Sequence, residues 1–247
     1  MTGQESSKSM KAARRVGQLV DFEDLSVVFQ PIVRLRTMRV FAYEALVRCR
    51  IPAYKNPMVL FDRAVAEGCT GELGRMIREI AVPLCERIPL FVNVHPVELE
   101  EQWLVRPDDA IFGHDTTIFV EITEAVPMAK FDLCQRVLAE MRSRADVRLV
   151  VDDLGAGYSN LKYIADLKPS VVKLDRGLIA GTKRGSRHER LISGIVKMCN
   201  DLDATIVVEG IETEEELAVA EAAGAEFVQG YLFARPDFPL PLRERLE

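Results

Sequence analysis

SVVFQPIVRLRTMRVFAYEAL, Ser26 to Leu46, decides how this chain folds. It holds two runs rich in β-branched and aromatic residues, 26–33 and 38–46, with only RLRT, Arg34–Thr37, between them. Such runs read as strands. A parallel crossover needs about a dozen residues or more, so these two strands are expected to form an antiparallel hairpin. Six further runs follow: LFVNV (90–94), TIFVEI (117–122), VRLVVDD (147–153), SVVKLD (170–175), TIVVEG (205–210) and EFVQGYLF (226–233). Helical patterns over 57–68, 72–87, 129–144, 159–167, 186–202 and 214–223 separate most of them. Ser186/Glu189 and Thr213/Glu216 have the S/T-x-x-E form of capping boxes. Several runs are apolar on successive residues, as in strands covered on both faces. Eight strands alternating with helices predict an α/β fold, a modified TIM (β/α)8 barrel with an antiparallel first strand. An open doubly wound sheet is the competing architecture, and the alternation up to the last run favours closure.

The 247 residues carry 32 Lys and Arg against 38 Asp and Glu, a net charge of −6. That balance argues against long nucleic acid as a partner, because duplex binding rests on many basic contacts to phosphate. It leaves room for a small anionic ligand, since a bound cation reverses the sign of a local site. No uncharged apolar run is long enough to predict a membrane span. Residues 1–20 are expected to be a mobile polar N-terminal segment, and 21–247 a single barrel domain. The five cysteines (49, 69, 85, 134, 199) are scattered and contain no C-x-x-C pair, which predicts reduced thiols in a cytoplasmic protein.

Polar residues stand late in the runs: Gln30, Glu44, Asn93, Glu121, Asp152, Asp153, Lys173, Glu209 and Gln229. Active sites of barrels form where strands end, so these residues are expected to converge. Five carboxylates in one mouth repel and raise one another's pKa values, and divalent cations remove the difficulty. Adjacent strand residues point to opposite faces, so Asp153 is expected where the strand has broken into a loop. Asp152 can then bridge two cations while Asp153 holds the outer one. Oxygen donors favour Mg²⁺ or Mn²⁺ over zinc, and His95, His114 and His188 have no metal-binding spacing. Two cations about 3.5–4 Å apart suit in-line hydrolysis of a phosphate ester.

QPIV (30–33), YEALVR (43–48), FVNV (91–94), VEITE (120–124), DDLGAGYSNL (152–161), VKLDR (172–176), VEGIET (208–213) and QGYLFARP (229–236) closely resemble, in order, the motifs of EAL-domain cyclic-di-GMP phosphodiesterases. The resemblance implies a modified TIM barrel for residues 21–247 and hydrolysis of cyclic-di-GMP to linear pGpG with two Mg²⁺ or Mn²⁺ ions per active site. It implies that Glu44, Asn93, Glu121 and Asp152 hold one metal, and Asp152, Asp153 and Glu209 the other. Lys173 corresponds to the lysine that positions the attacking water, and Gln229 to a residue close to water and substrate. Arg48 corresponds to the arginine on substrate phosphate. Gln30, Leu46 and Pro236 correspond to positions lining the nucleotide pocket. Asp175 and Glu212 match acidic residues supporting the site, with Asp175 also counted at the substrate. Glu124 matches the glutamate that anchors the glycine-rich loop after the fifth strand. Leu154 and Ala156 depart from the family's usual Phe and Thr, and neither removes a metal ligand. The resemblance also implies a homodimer, and regulation is expected to come from a protein partner, from self-association or from sequence outside these residues. The alternative is a non-catalytic cyclic-di-GMP receptor signalling through a partner, a class in which the ligand set is usually broken.

Overall fold

The protein is described from a computed structural model, which describes residues 16–17, 19–123, 131–156 and 161–246. Eight strands among these residues close into a barrel in sequence order: β1 Leu25–Arg34, β2 Arg39–Cys49, β3 Leu90–Asn93, β4 Ile118–Thr123, β5 Val147–Leu154, β6 Val171–Leu174, β7 Thr205–Val208 and β8 Phe227–Val228. β1 runs antiparallel to both β2 and β8, and every other pairing is parallel. The hairpin expected from RLRT is present, with Gln30 opposite Glu44. Helices α1 Pro57–Glu67, α2 Thr70–Leu84, α3 Phe131–Arg142, α4 Lys162–Leu167, α5 Arg176–Ile179, α6 Arg187–Asp201 and α7 Glu214–Ala223 cover the outside. Thr213 makes the expected capping box with Glu216, whereas Ser186 forms only half of one: it accepts from Glu189 N, and the Glu189 carboxylate accepts from Gly185 N instead.

Two layers of apolar packing follow from the period-2 alternation of the strands. Outward-facing residues pack against the helices, as Val172, Ile206 and Val208 do against Ile192 and Val196 of α6. A separate cluster takes one residue from each strand: Ile32, Ala42, Phe91, Phe119, Val150, Val171, Val207 and Phe227. It fills the barrel interior, with the Phe91 and Phe119 rings stacked 4.2 Å apart.

The last run departs from its sequence reading. Only Phe227 and Val228 pair as a strand within 226–233. The reason is Gly230, where a Cβ would lie 2.0 Å from the carbonyl oxygen of Ile211. The chain is pressed against the loop after β7 and turns there, with Ala234 N donating to Gly230 O. It then returns beside β1, where Phe29 and Asp237 exchange backbone hydrogen bonds of 2.8 and 3.0 Å. At the other terminus, residues 1–15 and 18 of the expected mobile segment lie outside the described residues. Val16, Leu19 and Val20 are buried in a cluster with Leu60 and Leu73.

Candidate functional site

The interior phenylalanine-rich layer locates the site. Two residues further toward the mouth on each strand stand Gln30, Glu44, Asn93, Glu121, Asp152, Lys173, Glu209 and Gln229. A step of two returns to the same face of a strand, so an apolar ring is followed by a polar one. Gln30 is two residues earlier than Ile32 because β1 runs the other way.

Lys173 is the hub of this ring, with 1% of its side chain exposed. Its Nζ lies 2.7 Å from Glu209, 2.8 Å from Glu121, 3.1 Å from Glu44 and 3.3 Å from Asp152. Glu44 accepts hydrogen bonds from Asn93 Nδ2 (3.2 Å) and Gln229 Nε2 (2.7 Å). Gln229 Nε2 also donates to Gln30 Oε1 at 3.1 Å, and Gln30 Nε2 donates to Ala234 O. The glutamines thus tie the antiparallel seam to the ligand set.

Asp153 joins the ring by a different device from the one expected. β5 does not end at Asp152; its ladder to β6 slips between Val151 and Leu154. Asp153 takes the left-handed conformation, φ 59°, at this irregularity. The kink turns the second carboxylate to the side of the first, as bulges re-aim side chains near sites. Oxygen atoms of Asp152, Asp153 and Glu209 lie within 4.8 Å of one another.

Burial and crowding displace the titrations in opposite directions. Burial raises the Glu121 carboxyl well above the usual range, and Glu44 beside it adds to the rise. Burial pushes Glu209 up to about 8 and, with help from Asp152, Asp153 up to about 6. Asp152 is raised as well, chiefly by burial. Burial opposes the charge of Glu44 too, but Lys173, Gln229 and Asn93 outweigh it and hold Glu44 low. Burial likewise opposes the Lys173 ammonium, and its carboxylate neighbours hold it well above its ordinary value.

The donor set fits a hard divalent cation. Glu121 Oε2 is buried and accepts no hydrogen bond, while the buried Glu121 Oε1 and Asp152 Oδ1 meet the Lys173 ammonium at 2.8 and 3.3 Å. Leaving such an oxygen unbonded costs about 1–3 kcal/mol or more, unless a cation takes it up.

Other expected residues stand near the ring. Asp175 begins α5, where its Oδ1 accepts from Gly177 N at 2.8 Å, and its charge is one of those that raise Asp153. Glu212 pairs with Arg176 at 2.8 Å, and Pro236 sits next to the residue that bridges to Phe29. Glu124 and residues 157–160 of the glycine-rich loop lie outside the described residues. His95 caps the turn Pro96–Leu99 and stacks on Phe61, ring planes 10° apart.

A cavity of about 570 Å³ opens beside Glu44 and Asn93, between β2, α1 and the segment after β3. Leu46 and Arg48 line it, together with Met58, Phe61 and Asp62 of α1, which the sequence reading had not singled out. The helical pattern over 57–68 foretold α1, but which of its faces meets the mouth depends on packing. Also illegible was the fully buried trio behind the cavity, where Arg78 binds Glu98 (2.8 Å) and Asp109 (2.9 Å). Glu98 in turn accepts from His95 N, bracing the chain just after Asn93.

Comparison with known proteins gives the family and the fold. The chain is 29% identical over 253 residues to the cyclic di-GMP phosphodiesterase NbdA of Pseudomonas aeruginosa, covering 96% of this chain and 32% of that protein. It is 25% identical over 217 residues to the blue light- and temperature-regulated antirepressor BluF of Escherichia coli, covering 84% of this chain and 53% of that one. The chain thus spans about a third to a half of the length of these relatives. The Klebsiella pneumoniae BlrP1 manganese/cy-diGMP complex superposes with a TM-score of 0.75 at 27% identity, over 89% of this chain and 57% of that one. The EAL domain family matches residues 13–236, and with its barrel and motif order the chain belongs to that family.

Proposed function

We propose that this chain is a metal-dependent phosphodiesterase that opens cyclic-di-GMP to linear pGpG. The observation that carries the reading is the polar ring, in which four carboxylates converge on Lys173 while Asn93 and Gln229 hold Glu44. A receptor that has given up catalysis has no need to keep five carboxylates crowded at such electrostatic cost. Fully ionised, those five and one ammonium carry four net negative charges, the amount that two divalent cations neutralise. Glu44, Asn93, Glu121 and Asp152 would hold one Mg²⁺ or Mn²⁺, and Asp152, Asp153 and Glu209 the other. Bound there, the cations would lower the pKa of a water and polarise the phosphoryl oxygens.

The chain's own residues supply the rest. Lys173 offsets the crowded charge and offers an N–H donor where a nucleophilic water would stand. Gln229 and Asn93 fix Glu44 in one rotamer. Arg48 can grip a phosphate at the rim, where its guanidinium offers a fork of donors. Leu46, Gln30 and Pro236 would border the nucleotide, and one base would enter the cavity beside α1. Glu124 remains our proposed anchor for the glycine-rich loop. We further propose residues 21–247 as one barrel domain, acting in the cytoplasm as a homodimer under a regulatory partner. Among the described residues, no helix is long and apolar enough to cross a membrane.

The test is incubation of the purified chain with cyclic-di-GMP and Mg²⁺ or Mn²⁺. pGpG is the expected product, suppressed by EDTA and by Ca²⁺, whose looser coordination misplaces the water. Tight cyclic-di-GMP binding with no pGpG under any of these cations would replace the enzyme by the receptor reading.

A further inference from the structure

The cavity beside α1 holds a carboxylate with no task in the fold. Asp62 lines it, one helical turn after Met58, and among the described residues it takes part in no hydrogen bond or ion pair. Two other charged groups in the wall, Glu44 and Arg78, are committed. Glu44 is bound by Lys173, Gln229 and Asn93, and Arg78 by Glu98 and Asp109. Arg48 gives one donor to Val47 O and keeps its remaining N–H groups for the rim.

The walls favour a flat ligand. Leu46, Met58, Ile77, Val94 and Pro96 are apolar, and the parallel stack of Phe61 on His95 presents an aromatic surface. A planar heterocycle can extend such a stack, and its edge then meets whatever polar group stands beside it. Here that group is an acceptor-only carboxylate.

We infer that Asp62 reads the base: it selects guanine by accepting from N1–H and the 2-amino group together. This rests on the cyclic-dinucleotide reading above and goes beyond it, because it assigns base specificity to a single side chain. Guanine offers two adjacent donors, which match the two carboxylate oxygens. Adenine offers the N1 lone pair beside one amino group, so one oxygen would face an acceptor. Hypoxanthine keeps N1–H and lacks the 2-amino group, and falls between them. The cation and the anion of the cavity thereby divide the ligand: Arg48 takes phosphate whatever the base, and Asp62 takes the base.

The experiment is equilibrium binding of cyclic-di-GMP, cyclic-di-IMP and cyclic-di-AMP, with Ca²⁺ as the supporting cation, to the parent, Asp62→Ala, Asp62→Asn and Arg48→Ala. Asp62→Ala should weaken cyclic-di-GMP by about ten- to hundredfold, as expected for losing hydrogen bonds to a charged group, and leave cyclic-di-AMP unchanged. Asp62→Asn should also lose guanine preference, since its amide N–H₂ opposes a guanine donor. Arg48→Ala should weaken all three ligands alike. Thermal unfolding of the Asp62 variants should match the parent, because the residue is exposed and has no partner to lose among the described residues. If Asp62→Ala keeps the parent's ratio of cyclic-di-GMP to cyclic-di-AMP affinity, the inference is wrong while the ligand class stands. If the parent binds none of the three, the cyclic-dinucleotide reading itself fails and this inference with it.

Discussion

Replacing Lys173 by Met removes the one ammonium inside the ring and keeps most of its volume. The consequence can be worked from the four contacts of 2.7–3.3 Å. At an effective dielectric constant of about 20, a charge pair near 3 Å is worth roughly 5 kcal/mol before solvation is counted. Desolvation of a buried ammonium returns several kcal/mol, so the net effect is far below the sum of four pairs. Breaking a buried ion pair from one side costs about 3–5 kcal/mol, and that is the figure expected here at about pH 8.5 in EDTA. In a chain of 247 residues each kcal/mol moves the midpoint by about 2–4 °C, so Tm should fall by roughly 10 °C. Acid should narrow the gap. The carboxylates can escape by taking up protons, and each pH unit spares about 1.4 kcal/mol per group. Mn²⁺ should narrow it too, because divalent charge replaces the missing ammonium, and the variant should gain more from Mn²⁺ than the parent does. Turnover should be lost even so, since charge returns but the N–H donor does not. The assay is thermal unfolding with and without EDTA at two pH values, beside pGpG release. The reasoning fails if variant and parent unfold at the same temperature in alkaline EDTA, or if Mn²⁺ raises both equally.

Four further outcomes are expected. In EDTA the parent should lose stability as pH rises from 5 to 9: Asp153 and Glu209 are raised to about 6 and about 8, so the folded chain binds the extra protons and their contribution fades through those values. A stability maximum above about pH 8 in EDTA would contradict this sign. Mn²⁺ uptake should release protons near pH 7, visible by calorimetry in two buffers of different ionisation enthalpy, and affinity should rise with pH over the same range. Arg78→Met should cost about 3–5 kcal/mol in chemical denaturation, because Glu98 and Asp109 are left buried without a cation; near-parent stability would mean that the trio is dispensable. Gly230→Ala should cost roughly 3 kcal/mol and slow turnover, since its Cβ would force Ile211 away and drag Gln229 from Glu44; an active, stable variant would show that the backbone there gives way.

The amino-acid sequence by itself determined the barrel and the composition of its mouth. Four residues of RLRT cannot carry a parallel crossover, so the antiparallel start was legible from chain length alone. The polar ring was legible because a strand repeats every two residues: whatever follows the core residue by two must look into the same space. Only the tertiary structure decided matters that depend on surfaces meeting. Asp153 enters the ring through a ladder slip and a positive φ, where the local pattern suggested a strand already ended. Asp175 also caps α5, and β8 is cut to two residues by the approach of Gly230 to Ile211. Arg78 reads in the sequence as an ordinary helix charge, and nothing near it foretells Glu98 and Asp109, 20 and 31 residues away. Asp62 likewise reads as a solvated helix residue until α1 is laid against β2 and the segment after β3. Local periodicity specifies which face of an element is inward; it contains no record of which faces, distant in the chain, will share a cavity.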